Sequence, residues 1–226
     1  MSAEWNDEQK RQVQRLALRG YDFDASSHLV LEVKDASHAR KFLGSVLRER
    51  DWLTFGERDR VRKDGGEDDR EPAVSIGFTY RGLQALGVPD RYLNELRVKA
   101  PAFCEGAPAR AALRLGDAGP CAAERWEPMF AFDRAHVLIS IHGPSRGAVD
   151  AMAERLADTA GGRAGFKGWE GALPAEHLTQ DKRNRTVHFG FRDNLARPRI
   201  VVEKQFDRRN LRHRAGELVL GYLNDA

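Results

Sequence analysis

Two stretches of this chain repeat one pattern, and the repeat limits the possible folds more than any other feature. His28 to Lys34 reads HLVLEVK, with Leu29, Leu31 and Val33 alternating against Val30 and Glu32. Side chains on a strand point to opposite faces in turn, so this period of two predicts a half-buried strand. Asp35 stands where a helix cap belongs, and Ala39, Phe42, Leu43, Val46 and Leu47 then fall on the apolar stripe of an amphipathic helix. Much later, His136 to His142 reads HVLISIH, with Val137, Ile139 and Ile141 on one face. Ser145 is placed to cap a helix through Ala160 bearing Val149, Met152 and Leu156, and Gly161-Gly162 ends it. Each strand–helix unit is followed by β-rich sequence. Two such units predict a ferredoxin-like α+β fold, an antiparallel sheet with helices on one face, as a single domain over residues 1–226.

The remaining punctuation fills in around these units. Asn6 or Asp7 can cap a helix through Arg19 with Val13, Leu16 and Ala17 on one face. Val74, Ile76 and Phe78 alternate as a second strand, and Thr79 caps a short helix containing Leu83 and Leu86 that Gly87 and Pro89 stop. Residues 58–71 are nearly all charged, with a Gly-Gly pair, and read as an exposed, mobile loop. Residues 90–132 carry Pro101, Pro108, Pro120 and Pro128 and read as a long excursion with short helices. An excursion of that length inside a compact domain is usually functional or an interface. Phe166 to Leu173 is predicted as a hairpin arm, Thr186 to Phe189 as a strand, and Ile200–Val202 and Glu217–Tyr222 as short β segments.

Composition excludes several partner classes. The 37 basic and 34 acidic residues are interspersed, and a net charge of +3 without a basic block does not point to nucleic acid. The two cysteines, Cys104 and Cys121, lack metal or disulfide spacing and are expected to be free thiols. There is no apolar run near the roughly 20 residues that span a bilayer. The first residues, MSAEWNDEQKRQ, have no hydrophobic signal core, so no membrane association and a cytoplasmic location are expected.

The most suggestive chemistry lies in His188 to Ile200, HFGFRDNLARPRI. β-type residues Val187 and Phe189 lead to Gly190, after which Arg192, Asp193 and Asn194 form a polar turn. An acid at the exit of a strand can be aimed into a cavity for proton transfer. It can equally cap its own turn at the surface.

The order of several segments resembles the N-terminal half of dye-decolourising haem peroxidases. They are VQRLALRGY (13–21), HLVLEV (28–33), VSIGFTYRGLQALGV (74–88), FCEGAPARAALRLGD (103–117), ERWEPM, HVLISIHG (136–143), HFGFRDNLARPRI and AGELVLGY (215–222). The resemblance implies paired ferredoxin-like domains with haem b between them and hydrogen peroxide as oxidant. It implies that Gly190-Phe191-Arg192-Asp193-Asn194 matches the family signature GxxDG. Asp193 then takes the distal acid–base role, and Gly190, Phe191, Arg192, Asn194 and Leu195 line the haem, with no metal ligand in this chain. Asn194 stands where the family has Gly; Asn tolerates a positive φ but brings a bulkier side chain. Arg197 is placed either at the cavity mouth or in a surface ion pair.

In the family the axial His and distal Arg follow the segment matching ELVLGY, and none of the seven histidines here matches the axial motif. The resemblance thus implies a peroxidase component whose iron-ligating half is a separately encoded C-terminal partner or another copy in a homo-oligomer. The alternatives are a non-catalytic binding or scaffold module that has lost haem, and a truncated peroxidase.

Overall fold

The computed structural model describes residues 12–18, 20–49, 52–55, 70–131, 133–176, 189, 199–201 and 212–214. Its centre is a sheet in the order β2-β3-β1-β4, with β5 also on β1, every pair antiparallel. The strands are β1 (Ala25–Val33), β2 (Ala73–Phe78), β3 (Val137–Gly143), β4 (Phe166–Lys167) and β5 (Leu173–Glu176). This is the ferredoxin-like order, reached by the two predicted strand–helix units. The first helix is α1 (Arg15–Leu18); the crossover helices are α2 (Ala36–Arg48) and α6 (Arg146–Asp158), with α3 (Tyr80–Ala85), α4 (Asp90–Lys99) and α5 (Pro101–Arg110) between them.

The period of two in β1 sets which face is buried. Leu29 and Leu31 are fully buried, as are Ile139 and Ile141 beside them on β3 and Val74 on β2. Phe42 and Val46 of α2 and Met152 and Leu156 of α6 complete the core on that face. Phe42 meets Phe166 and Trp169 edge to face, with ring centroids 5.4 and 5.8 Å apart, a preferred aromatic geometry. Both crossover helices start as predicted: Asp35 accepts from the His38 N–H at 2.8 Å and Ser145 from the Ala148 N–H at 3.2 Å. The exit of α6 requires glycine. Gly161 has φ +93°, and a Cβ there would stand 2.2 Å from the His38 carbonyl oxygen.

Several boundaries and contacts differ from expectation. β1 begins at Ala25, before His28, because β5 and the end of β3 pair with its first residues. The segment read as a hairpin arm is instead one interrupted edge strand: β4 pairs Val33 and Glu32, β5 pairs His28 to Ala25, and Gly168 (φ +101°) turns the chain between them. Leu47 is 61% exposed, since at 3.6 residues per turn it lies roughly 80° around α2 from Ala39. Leu16 and Ala17 are also exposed, leaving Val13 as the buried member of the first predicted face. α6 ends at Asp158, two residues before the predicted Ala160. The predicted short β segment at Ile200 is found as Arg199–Val201, paired in parallel with Arg212–Arg214. Nearly all of the charged loop at 58–71, the strand at Thr186–Phe189 apart from Phe189, and Glu217–Tyr222 lie outside the described residues.

The core assignment yields a direct contrast. Phe42→Ala should lower unfolding free energy by about 3–5 kcal/mol, and Leu47→Ala by no more than about 0.5 kcal/mol, in chemical denaturation.

Candidate functional site

The face of the sheet opposite the crossover helices is polar. Ser26, His28, Val30 and Glu32 of β1 line up there with Leu138, Ser140 and His142 of β3 and Ser75 of β2. His28 Nδ1 and Ser140 Oγ are 3.0 Å apart, and the His28 ring stands edge-on to His142 at 5.8 Å. Tyr21 covers His142 at 4.9 Å between ring centroids, its hydroxyl hydrogen-bonded to Thr54 Oγ1 and 3.3 Å from Ser75 Oγ. Burial, and then the neighbouring His28, push the His142 imidazole down to about 4. Its Nε2 is buried without a hydrogen-bond partner, which costs about 1–3 kcal/mol. His28 is likewise lowered by burial.

The outer edge of β2 is closed by side chain and loop. Gln14 donates from Nε2 to the Ile76 carbonyl and accepts the Ile76 N–H at Oε1, both at 2.7 Å. The Val74 N–H donates to the Trp52 carbonyl at 2.9 Å. Covering an edge in this way removes a template for unwanted strand pairing.

A second site lies at the other end of the sheet, where β2 runs out and β3 begins. A cavity of about 540 Å³ opens between Phe78, Thr79 and Tyr80, helix α5, and the short turns carrying Trp126 and Phe130. Gly82 permits it: a Cβ there would stand 1.9 Å from the His136 carbonyl oxygen, so only glycine lets α3 press against the chain entering β3. Helix α5 is broken at Gly106 (φ +76°) ahead of Pro108, and this bends it around the cavity. Tyr80 is 4% exposed, and its hydroxyl is buried without a hydrogen-bond partner.

The sequence-predicted residues Gly190, Phe191, Arg192, Asp193, Asn194 and Leu195 lie outside the described residues, as does Arg197. Phe189, just before them, is in a turn and 81% exposed. His28 bonds Ser140. His136 accepts the Val33 N–H at Nδ1 (2.9 Å), and His38 pairs with Asp35 at the exposed start of α2 (3.1 Å). The cavity was missed as a site; its only signal was aromatic residues spaced through the proline-rich excursion.

Haem iron requires an axial donor with open space beside it. His136 is committed to the backbone, His38 to an exposed ion pair, and the His142 Nε2 is enclosed with no open space beside it. His38, His136 and His142 therefore do not fit that role. Among the described residues there is also no group of three or more metal-binding side chains, and no helix long and apolar enough to cross a membrane. Cys104 and Cys121 are free thiols, as expected.

Residues 28–165 match the family model of the DyP dimeric alpha+beta barrel domain. No curated protein matches the chain in sequence. Among solved structures, an ancestral D-type dye decolorizing peroxidase superposes with a TM-score of 0.68 at 20% identity, over 94% of this chain and 44% of that one. A dye-decolorizing peroxidase in complex with 2,6-dimethoxyphenol gives 0.64 at 21% identity, over 86% and 40%. A fungal DyP-type peroxidase from Auricularia auricula-judae gives 0.65 at 19% identity, over 84% and 38%. At such identities the likeness is one of fold, and the chain spans about two fifths of the length of these proteins.

The half-buried His142 imidazole makes stability depend on pH. His142 binds a proton more readily unfolded, near 6.5, than folded, near 4. The unfolded chain thus holds more protons between those values, and stability is lost as pH falls from 6.5 toward 4. Imidazole proton shifts should show His142 neutral down to about pH 4, and His142→Leu should flatten the acid limb of the denaturation midpoint.

Proposed function

Because the chain belongs to the dye-decolourising peroxidase family, in its N-terminal alpha+beta barrel domain, we propose that it supplies the distal wall of a haem pocket for peroxide-dependent oxidation. In this reading the iron-ligating half comes from another polypeptide, a C-terminal partner or a second copy of the chain. The observation that carries the reading is the family match over residues 28–165, followed at 190–194 by Gly-Phe-Arg-Asp-Asn in the place of the family's GxxDG.

Asp193 is the acid–base. Its carboxylate takes a proton from one peroxide oxygen and returns it to the other, which needs hydrogen-bond reach of about 2.6–3.2 Å. On the same motif match, Gly190, Phe191, Arg192, Asn194 and Leu195 are assigned to contact with haem b. The iron donor is assigned elsewhere because His38 and His136 are already committed and the His142 Nε2 is enclosed. A sheet with one face free of crossover helices also suits the dimeric alpha+beta barrel of the family description.

A second reading, a scaffold that has lost haem, is favoured by Asn194 in place of the signature's last glycine and by the same lack of a fitting histidine. Co-expression with a polypeptide carrying the family's C-terminal half separates the two. A Soret band and peroxide-dependent dye oxidation are expected from the pair. Asp193→Asn should keep the Soret band while turnover falls by roughly 10²–10⁴-fold. Unchanged turnover in that variant removes Asp193 from proton transfer, and failure of every pairing to bind haem favours the scaffold.

A further inference from the structure

The cavity between β2, α5 and the Trp126 and Phe130 turns serves no step of the peroxidase reading. None of its eleven lining residues is charged. Sites for polar ligands add a few well-placed polar groups to an apolar lining. Here every side-chain candidate is already taken. The Thr79 hydroxyl donates to the Ala135 carbonyl at 2.6 Å and accepts the Gly82 N–H at 3.0 Å. The Trp126 Nε1–H donates to the Cys121 carbonyl at 3.1 Å. The Tyr80 hydroxyl is enclosed by protein, so Tyr80 gives the cavity only its ring. No side chain of the wall is left to meet an oxygen or nitrogen of a guest, and such an atom would be desolvated unpaired.

The volume excludes a single ring as the natural occupant. At about 540 Å³ the cavity is more than three times the roughly 150 Å³ that holds benzene, room for on the order of a dozen carbons. It opens to solvent at one side, where Ala102 and Ala107 are exposed and Phe130 is 42% exposed. We propose that it binds the alkyl chain of a free single-chain amphiphile, such as a fatty acid or fatty alcohol, with the tail inside and the head group in water at the mouth. The tail carries no atom that needs a hydrogen bond, and it bends to fill an irregular space. The head group stays outside because the lining has nothing to offer a charge or a hydroxyl. Binding depends neither on haem nor on Asp193, so its failure would leave the peroxidase reading intact.

Isothermal titration calorimetry of the full chain with 1-hexanol, 1-octanol and 1-decanol tests it, without haem or peroxide. Saturable one-to-one binding is expected, tightening roughly fourfold per methylene. Decanoate and decyltrimethylammonium, kept below their micelle concentrations, should bind within about fivefold of each other, since their opposite charges stay outside. Ala102→Asp and Ala107→Asp each bring a carboxylate to the mouth from an exposed position, and should weaken decanol at least about tenfold while circular dichroism reports a retained fold. A decanoate brominated at its far end should quench fluorescence in the wild-type chain but not in Trp126→Phe, although the other three tryptophans remain. If an aspartate variant does not fold, the quenching comparison decides. The idea is overturned if affinity does not rise with chain length, if the two head-group charges differ by more than about tenfold, or if quenching persists in Trp126→Phe. Sedimentation of the chain with phosphatidylcholine vesicles would also overturn it, assigning the site to a membrane surface instead.

Discussion

The ladder between β1 and β3 is the interaction on which the rest of the structure depends. Seven residue pairs, from Ala25↔Gly143 to Leu31↔Val137, hold the two central strands in register. A slip of one residue would turn Leu29, Leu31, Ile139 and Ile141 away from both crossover helices and bring His28, Ser140 and His142 into the core. The register therefore sorts the sheet into an apolar face, closed by α2 and α6, and a polar face. It also places β2 on one side and the interrupted β4–β5 strand on the other.

The polar face keeps features a purely stabilising design would avoid. His142 is half-buried among rings, held neutral, and left with an unpaired Nε2. Buried polar groups in low dielectric are either satisfied or costly. Here the cost sits on the face away from the crossover helices. The outer edge of β2 is treated differently: Gln14 satisfies its backbone with the side-chain amide, so that edge is finished within this chain.

The excursion between β2 and β3 belongs to the same architecture. A β2–β3 connection could be a tight hairpin, yet this one runs through α3, α4, α5 and a series of short turns. Its anchor is the close approach of Gly82 to the His136 carbonyl, backed by the Thr79 hydroxyl on the Ala135 carbonyl. Those contacts seat the start of the excursion against its end, and the aromatic residues between them converge on one cavity instead of scattering over the surface.

What the sequence by itself determined was local and periodic. The alternation at Leu29, Leu31, Ile139 and Ile141, the stripe at Ala39, Phe42 and Val46, and the caps at Asp35, Thr79 and Ser145 were legible because each is set by neighbours within a few residues. With two such units in order, the ferredoxin-like fold followed; the family came separately, from the resemblance of the ordered segments between Val13 and Tyr222. The signature around Asp193 was legible as a motif only; its six site residues lie outside the described residues. The tertiary structure alone decided the rest. Leu47 looks apolar and is exposed, while His142 looks like a strand-end polar residue and has its Nε2 enclosed, since burial depends on which element packs alongside. Gln14 finds Ile76, and Tyr80 meets Phe103 beside Trp126, across separations that no local pattern encodes. Such contacts come from chain crossings, and crossings exist only once the sheet has closed.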